Sequence, residues 1–113
     1  MVHRVRRAIG AHGSVDIVRG EPASCNGSIF TAQVAFPVRS VAAANAAIAA
    51  MQQEGHCSVA DHNMSAFRIG GASKNGTSKK SKIEKAYDDD GEAHGGQRLL
   101  GFLTKQGACD VAV

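Results

Sequence analysis

Residues 88–100 read DDDGEAHGGQRLL, an acidic cluster with a glycine, then paired glycines, then leucines. Acidic residues and glycine together are typical of a turn, because they tolerate the backbone angles that a reversal requires. The leucines that follow recur at the spacing of one helix face. We therefore predict a turn that leads into a helix over residues 97–106, which Gly107 ends in the left-handed conformation. The apolar stripe of that helix consists of Leu99, Leu100 and Leu103, with Phe102 beside it.

Upstream, residues 40–54 predict the first helix. Ser40 is a favourable N-cap residue, because its hydroxyl oxygen can accept a hydrogen bond from a free backbone N–H of the first turn. Alanine, which has the highest helix propensity, fills most of the segment. Gly55 follows as a candidate C-cap. The apolar stripe consists of Val41, Ala44, Ile48 and Met51.

Three further segments have the pattern of strands. Residues 29–36 alternate with period two, which places Phe30, Ala32, Val34 and Phe36 on the predicted buried face. Residues 64–69 and 109–113 predict the second and third strands. The chain order then predicts an α+β fold in which two helices cover one face of the sheet. The predicted core is Phe30, Val34, Val41, Ile48, Met51, Phe67, Leu99 and Leu103.

Two segments carry too few apolar residues to predict an ordered element. Residues 1–23 are basic and interrupted by glycine, and we interpret them as a disordered tail, with at most a short edge strand at residues 14–18. The arginines near the start also fit an organellar targeting segment, although serine is sparse there. Residues 72–87 are rich in Gly, Ser, Asn and Lys and predict a mobile loop. This assigns residues 24–113 to a single domain.

Composition sets limits on the class of protein. The 113-residue chain is 43% hydrophobic but only 4% aromatic, so its core is expected to be small. A net charge of +3 is too weak to indicate nucleic-acid binding by itself. Three widely spaced cysteines, with no Cys-x-x-Cys pair, favour a reduced, cytoplasmic setting without a structural zinc site. No apolar run approaches the about 20 residues that a membrane span needs.

Three segments in this order resemble the IMPACT/YigZ family. Residues 28–35 (SIFTAQVA) are similar to its opening strand, and residues 61–69 (DHNMSAFRI) to a His-led strand of its eukaryotic members. Residues 89–100 resemble an Asp-Asp-Gly-Glu turn that leads into a helix begun by glycines. The resemblance implies a fold like domain 2 of ribosomal protein S5. Eukaryotic members regulate translation, restrain a stress kinase and contact actin, whereas nucleic-acid binding has been suggested for bacterial relatives.

The chain also departs from the family pattern. After the last strand the family continues with an Arg, two aromatics, a Gly-Gly pair and a further helix, whereas this sequence ends at Val113. We therefore expect a domain that is incomplete at its C-terminal end, with part of the sheet uncovered and available for self-association. The 23 residues ahead of Ser24 are too few for the separate N-terminal domain of the eukaryotic regulators.

The acidic turn is the main candidate site. Its carboxylates can hold a basic segment of a partner or a divalent ion. Alternatively, acids ahead of a helix N-terminus are stabilised by the helix dipole, and we favour this structural role for two of them while leaving Glu92 open. The predicted partner-binding residues are Asp89, Asp90, Gly91, Glu92, Gly96, Arg98, His62 and Arg68.

Other candidate sites are weaker. A lysine-rich segment over residues 74–85 can touch phosphates, but we favour the interpretation of a solvated, mobile loop. His56, Cys57, Asp61 and His62 invite a metal or nucleophile interpretation, against which we expect His62 to order a turn. The sequence thus predicts a non-catalytic protein-interaction module without a cofactor, with an RNA-binding module of S5-like fold as the alternative. No nucleophile, base and oxyanion set can be assembled that would indicate an enzyme.

Overall fold

The computed structural model describes residues 4–10, 13–70 and 82–113. The strands are β1 (Arg4–Gly10), β2 (Gly13–Arg19), β3 (Ala23–Cys25), β4 (Ser28–Phe30), β5 (Gln33–Phe36), β6 (Ser65–Ile69), β7 (Glu84–Asp88) and β8 (Val111–Ala112). Within these ranges, six strands form one antiparallel sheet in the order β1-β2-β5-β8-β6-β7, and β3 pairs with β4 in a separate hairpin. This confirms the predicted α+β class. The helices are α1 (Val41–Gln52), α2 (Gly55–Ser58) and α3 (Gly95–Gln106).

The hairpin of β1 and β2 corrects the prediction of a disordered tail over residues 1–23. The two strands pair in register from Arg4 opposite Arg19 to Gly10 opposite Gly13. Val15 and Ile17 of β2 are buried, and Ile17 is only 1% exposed. The predicted short strand at residues 14–18 exists, but it lies inside the sheet between β1 and β5 rather than at its edge. The β1 residues are mostly exposed, so this strand gives almost no apolar signal in the sequence.

The predicted strand over residues 29–36 is in fact two strands with a break at residues 31–32. Phe30 belongs to β4, pairs away from the main sheet and is 51% exposed, so its assignment to the core is wrong. In β5 the buried residue is Ala35, which lies opposite Ile17, while Phe36 remains 40% exposed. Because side chains alternate along a strand, choosing Phe36 instead of Ala35 inverts the face of the whole strand.

Helix α1 forms where it was predicted. The Ser40 hydroxyl oxygen accepts a hydrogen bond from the Ala43 N–H at 3.0 Å, which confirms the N-cap. The helix ends at Gln52 with Gln53 as its C-cap, so Gly55 begins α2 instead of capping α1. Small alanine side chains let the helix lie close to the sheet, and Val41 and Ile48 are only partly buried at the margin of the core. The main core comprises Val15, Ile17, Ala35, Val38, Ala44, Ala47, Met51, Phe67, Ile69 and Ala112.

Helix α3 does not share a sheet face with α1, contrary to the prediction that both helices cover one face. Alternation along β6 puts Phe67 and Ile69 towards α1 and Ala66 and Arg68 on the other side. Although Ala66 faces away from α1, it is only 1% exposed, so another element covers it. Arg68 reaches the Ala108 carbonyl, just beyond the end of α3. Helix α3 contacts β6 and β7, so it covers that opposite face at one end of the sheet.

The remaining predictions are met in part. Leu103 is buried and Leu99 partly buried, and Gly107 ends α3 with φ +67° as predicted. The predicted loop over residues 72–87 falls mostly on residues 71–81, outside the described residues, but its last part is strand β7. No helix in the described ranges is long and apolar enough to span a membrane.

The fold predicts a large difference between two isoleucines of the hairpin. Replacing Ile17 by Ala should lower the free energy of unfolding by about 2–5 kcal/mol, because it leaves a cavity in the core. Ile9→Ala, in the neighbouring strand at 81% exposure, is the matched control and should change it by less than about 0.5 kcal/mol. Urea denaturation followed by circular dichroism measures both. Equal effects would contradict a hairpin that is part of the core.

Candidate functional site

The acidic turn, residues 88–94, connects β7 to α3. Its backbone takes left-handed angles at Asp90 (φ +47°), Gly91 (φ +83°) and His94 (φ +66°). The Asp88 carboxylate accepts a hydrogen bond from the Asp90 N–H at 2.9 Å, a local bond of the kind that favours aspartate in turns. The turn therefore has a defined shape that its own side chains help to maintain.

Asp89 caps helix α3 from outside the helix. One of its oxygens, Oδ1, accepts hydrogen bonds from the Gly96 N–H at 2.9 Å and the Gln97 N–H at 3.1 Å. These are N–H groups of the first helical turn, which have no partner within the helix. His94, at the N-cap position, makes no side-chain capping bond, so Asp89 takes over that role. Asp89 therefore has a structural role at the start of α3.

Asp90 and His62 join the acidic turn to the segment ahead of β6. The Asp90 carboxylate accepts a hydrogen bond from the Asn63 N–H at 2.6 Å, and the Asp90 carbonyl lies 2.8 Å from His62 Nδ1. Because a carbonyl oxygen can only accept, the proton of this bond sits on Nδ1. His62 therefore links the segment ahead of β6 to the acidic turn, whereas the sequence predicted that it orders the turn into β6.

Gly96 is required by the close approach of α3 to β7. It is buried, and a Cβ atom at this position would overlap the backbone of Asp88. Gly91 faces the His62 ring, where an added Cβ would lie 3.3 Å from Nδ1. The absence of a side chain at both glycines thus lets the turn and the helix approach their neighbours closely. Neither glycine has a side chain that could contact a partner.

Glu92 is the acid that the turn leaves most available. Its carboxylate lies 3.4 Å from His62 Nε2, yet the side chain remains 56% exposed. Asp90 and Arg98 are exposed nearby on the turn and on the first part of α3. The structure therefore brings together seven of the eight predicted site residues. Arg68 is the exception, since it binds the Ala108 carbonyl at 2.8 Å, beyond the other end of α3.

His56 and Cys57 lie close together but away from the acidic turn. Cys57 Sγ is 3.4 Å from His56 Nε2, and Gln33 Nε2 is 3.3 Å from the same ring nitrogen. Burial, and secondarily the charge of Glu54, raises the pKa of the Cys57 thiol, which favours the neutral form. A nucleophilic cysteine needs the opposite shift. His62 binds the acidic turn instead, so the four residues considered together in the sequence do not converge.

Metal coordination has no support in the described ranges, where His, Cys, Asp and Glu side chains form no group of three suited to an ion. Most of the lysine-rich segment over residues 74–85, namely residues 74–81, lies outside those ranges. Sequence reasoning missed a contact of Gln33 with the end of α1, where its amide donates to the Met51 carbonyl at 3.0 Å. The signal was present, since Gln33 is a polar residue within a strand pattern, but it had been assigned to the solvent face.

Comparison with known proteins gives one match. The family model described as the Impact N-terminal domain matches residues 26–113, which span the structure from the β3–β4 turn to β8. The hairpin of β1 and β2 lies ahead of the matched segment. No curated protein and no solved structure matches the chain.

The capping role of Asp89 can be measured directly. Asp89→Ala should lower the free energy of unfolding by about 0.5–2 kcal/mol, because two N–H groups of α3 lose their acceptor. Asp61→Ala removes an exposed acid from the turn ahead of β6 and should have an effect within about 0.5 kcal/mol. Thermal and urea unfolding of both variants tests this, and equal losses would show that Asp89 contributes only its charge.

Proposed function

The chain belongs to the Impact N-terminal domain family, and from this membership we propose that it is a non-catalytic protein-interaction module. Its place would be in the cytoplasm, in the regulation of translation or in stress-kinase signalling. The observation that supports the proposal most is an exposed Glu92 on a turn whose backbone is fixed from both sides.

A fixed acidic turn suits recognition of a basic segment. Ordering a loop on binding costs free energy, and that cost is reduced when the loop is already held in one conformation. Here Asp89 anchors the turn to α3, and Asp90 anchors it to Asn63. Glu92 and the outer side of Asp90 then present negative charge, which favours association with Lys and Arg side chains.

The absence of catalysis is part of the proposal, and the state of Cys57 supports it. The Cys57 thiol donates towards the Met51 carbonyl at 3.4 Å, and its pKa is raised by burial. Nucleophilic catalysis by cysteine depends on a thiolate, which an electropositive setting stabilises. The Cys57 environment favours the thiol.

We also propose that the fold is related to that of domain 2 of ribosomal protein S5. The antiparallel sheet with α1 packed against one face supports this relation, together with the family membership. Helix α3 lies on the opposite face, which differs from the predicted arrangement with both helices on one face of the sheet.

The interaction proposal is tested by charge reversal at Glu92. A tagged chain should enrich translation factors, stress-kinase components or actin from a lysate, and Glu92→Lys should reduce that enrichment roughly fivefold, about 1 kcal/mol, by placing like charges against a basic partner. Glu84→Lys, also exposed but at the far end of β7 from the acidic turn, is the matched control. Enrichment that Glu92→Lys leaves intact, or that both variants reduce alike, would refute a specific role of the turn.

RNA binding is the second candidate, and exposed aromatics on the sheet favour it. Phe36 on β5 and Tyr87 on β7 are 40% and 48% exposed. Register and alternation put Phe36 on the same sheet face as Arg7, on the part of that face that α3 leaves open, whereas Tyr87 and Lys85 lie at the end that α3 covers. Aromatic side chains that stack on bases, beside basic residues that meet phosphates, are the usual elements of single-strand binding.

This second candidate predicts aromatic-dependent binding of a single-stranded RNA at low salt. Phe36→Ala should weaken it about tenfold through lost stacking, whereas Phe102→Ala, exposed on α3, should leave it unchanged. Fluorescence anisotropy over a salt series measures the affinity. No binding at low salt, or equal losses in the two variants, would eliminate this function.

We also propose that the chain self-associates through the open part of the sheet. The face that α3 covers only at one end carries Val5 at 63% exposure and partly buried Val18, Val34 and Val111. Apolar surface of this kind favours contact with another chain. Light scattering across a concentration series tests it, and a monomer at every concentration would contradict it.

A further inference from the structure

Two arginines face each other at one end of the hairpin. Arg4 of β1 lies directly opposite Arg19 of β2, and both side chains point to the α1 side of the sheet. Side chains in such a pair begin only about 5 Å apart, and like charges in this arrangement are destabilising. Arg19 in turn lies opposite Gln33 of β5, so the three side chains form a row across three strands.

This row borders a cavity of about 390 Å³. Its volume falls within the range of small-ligand pockets. Besides the two arginines, its lining includes Thr31, Glu21 and His56, the last from α2. Glu21 makes an interaction of its own within the chain.

The nearest acid that pairs with Arg19 is shared with another arginine. Glu54 Oε1 lies 2.9 Å from Arg6 Nε, whereas its Oε2 lies 3.9 Å from Arg19 Nη1. The short contact shows that Glu54 is engaged mainly by Arg6. The guanidinium of Arg19 therefore keeps hydrogen-bonding capacity towards the cavity, because its fork carries five donors.

His56 also lines this cavity. Gln33 Nε2 donates to the Met51 carbonyl and lies 3.3 Å from His56 Nε2. An amide nitrogen cannot accept, so His56 Nε2 is the acceptor and the ring proton sits on Nδ1. This Nδ1 is buried away from solvent, so the donors that a ligand in the cavity can reach are the two guanidiniums and the Thr31 hydroxyl.

We propose that this cavity binds a phosphate group. Two opposed guanidiniums and a hydroxyl offer more donors than a carboxylate can use, whereas the several oxygens of a phosphate can accept from all of them. Bound phosphate would also relieve the repulsion between Arg4 and Arg19. Both arginines precede the matched family segment, residues 26–113, whereas Thr31 and His56 lie within it, and the site is separate from the acidic turn.

Titration with inorganic phosphate at constant ionic strength, followed by NMR of the full chain, tests the proposal. Saturable shifts should appear at the Gln33 side-chain amide and the His56 ring. Arg4→Gln should weaken binding about tenfold or more, as expected for loss of a charge-assisted hydrogen bond. Arg7→Gln is the matched control, since Arg7 lies on the same strand, faces the opposite side and pairs with Asp16. Its effect should stay within about twofold, the limit expected for a weak surface pair.

Glu21→Gln provides a variant of opposite sign. Removing a negative charge from the cavity lining should strengthen phosphate binding severalfold, and this outcome does not depend on any loss of stability. A titration with acetate distinguishes the ligand classes. Tighter acetate than phosphate binding, equal weakening by Arg4→Gln and Arg7→Gln, or shifts confined to other residues would each overturn the proposal.

Discussion

The hydrogen bonds accepted by Asp89 and Asp90 fix one half of the structure. Asp89 holds the first N–H groups of α3, and Asp90 holds the backbone of Asn63 just ahead of β6. Helix α3 thereby starts at the end of β7 and lies against β6, where it buries Ala66. Because Gly96 sits directly on the Asp88 backbone, a side chain there would push the helix away from the sheet. The same hydrogen bonds fix the backbone of the acidic turn and leave Glu92 exposed on it. They therefore stabilise both the fold and the proposed contact surface.

The other half depends on the packing of α1 across the sheet. Its buried side chains are mostly alanines, so the core depends on close approach more than on large side chains. This geometry brings the end of α1 near β5, where Gln33 binds the Met51 carbonyl. It also brings α2 beside Arg19, so that the hairpin of β1 and β2 lies next to the end of α1. The proposed phosphate site lies where the hairpin meets α2, and the strand register places Arg4 opposite Arg19 there.

Sequence patterns predicted what local chemistry decides. Neighbouring residues predict the Ser40 cap, the body of α1 and the turn into α3, and the structure contains all three. Longer-range choices were not accessible. Ala35 and Phe36 are equally plausible inward residues until the pairing of β5 with β2 is known. The side of the sheet that α3 covers depends on a turn of seven residues with three left-handed positions, which no periodicity encodes.

The candidate site shows the same division. Asp89 and His62 were identified because acids before a helix and a histidine in a turn have local reasons to be there. Arg68 was misplaced because a long side chain can reach either end of α3, and the Arg4–Arg19 pair was missed because β1 has no apolar signal. Hydrogen exchange at the Asn63, Gly96 and Gln97 amides tests the central claim, that the acidic turn holds α3 and β6 together. We expect these three amides to exchange as slowly as the interior of α3, with Gly96 and Gln97 speeding up in Asp89→Ala and Asn63 in Asp90→Ala. Fast exchange at all three in the unaltered protein, with α3 still protected, would contradict it.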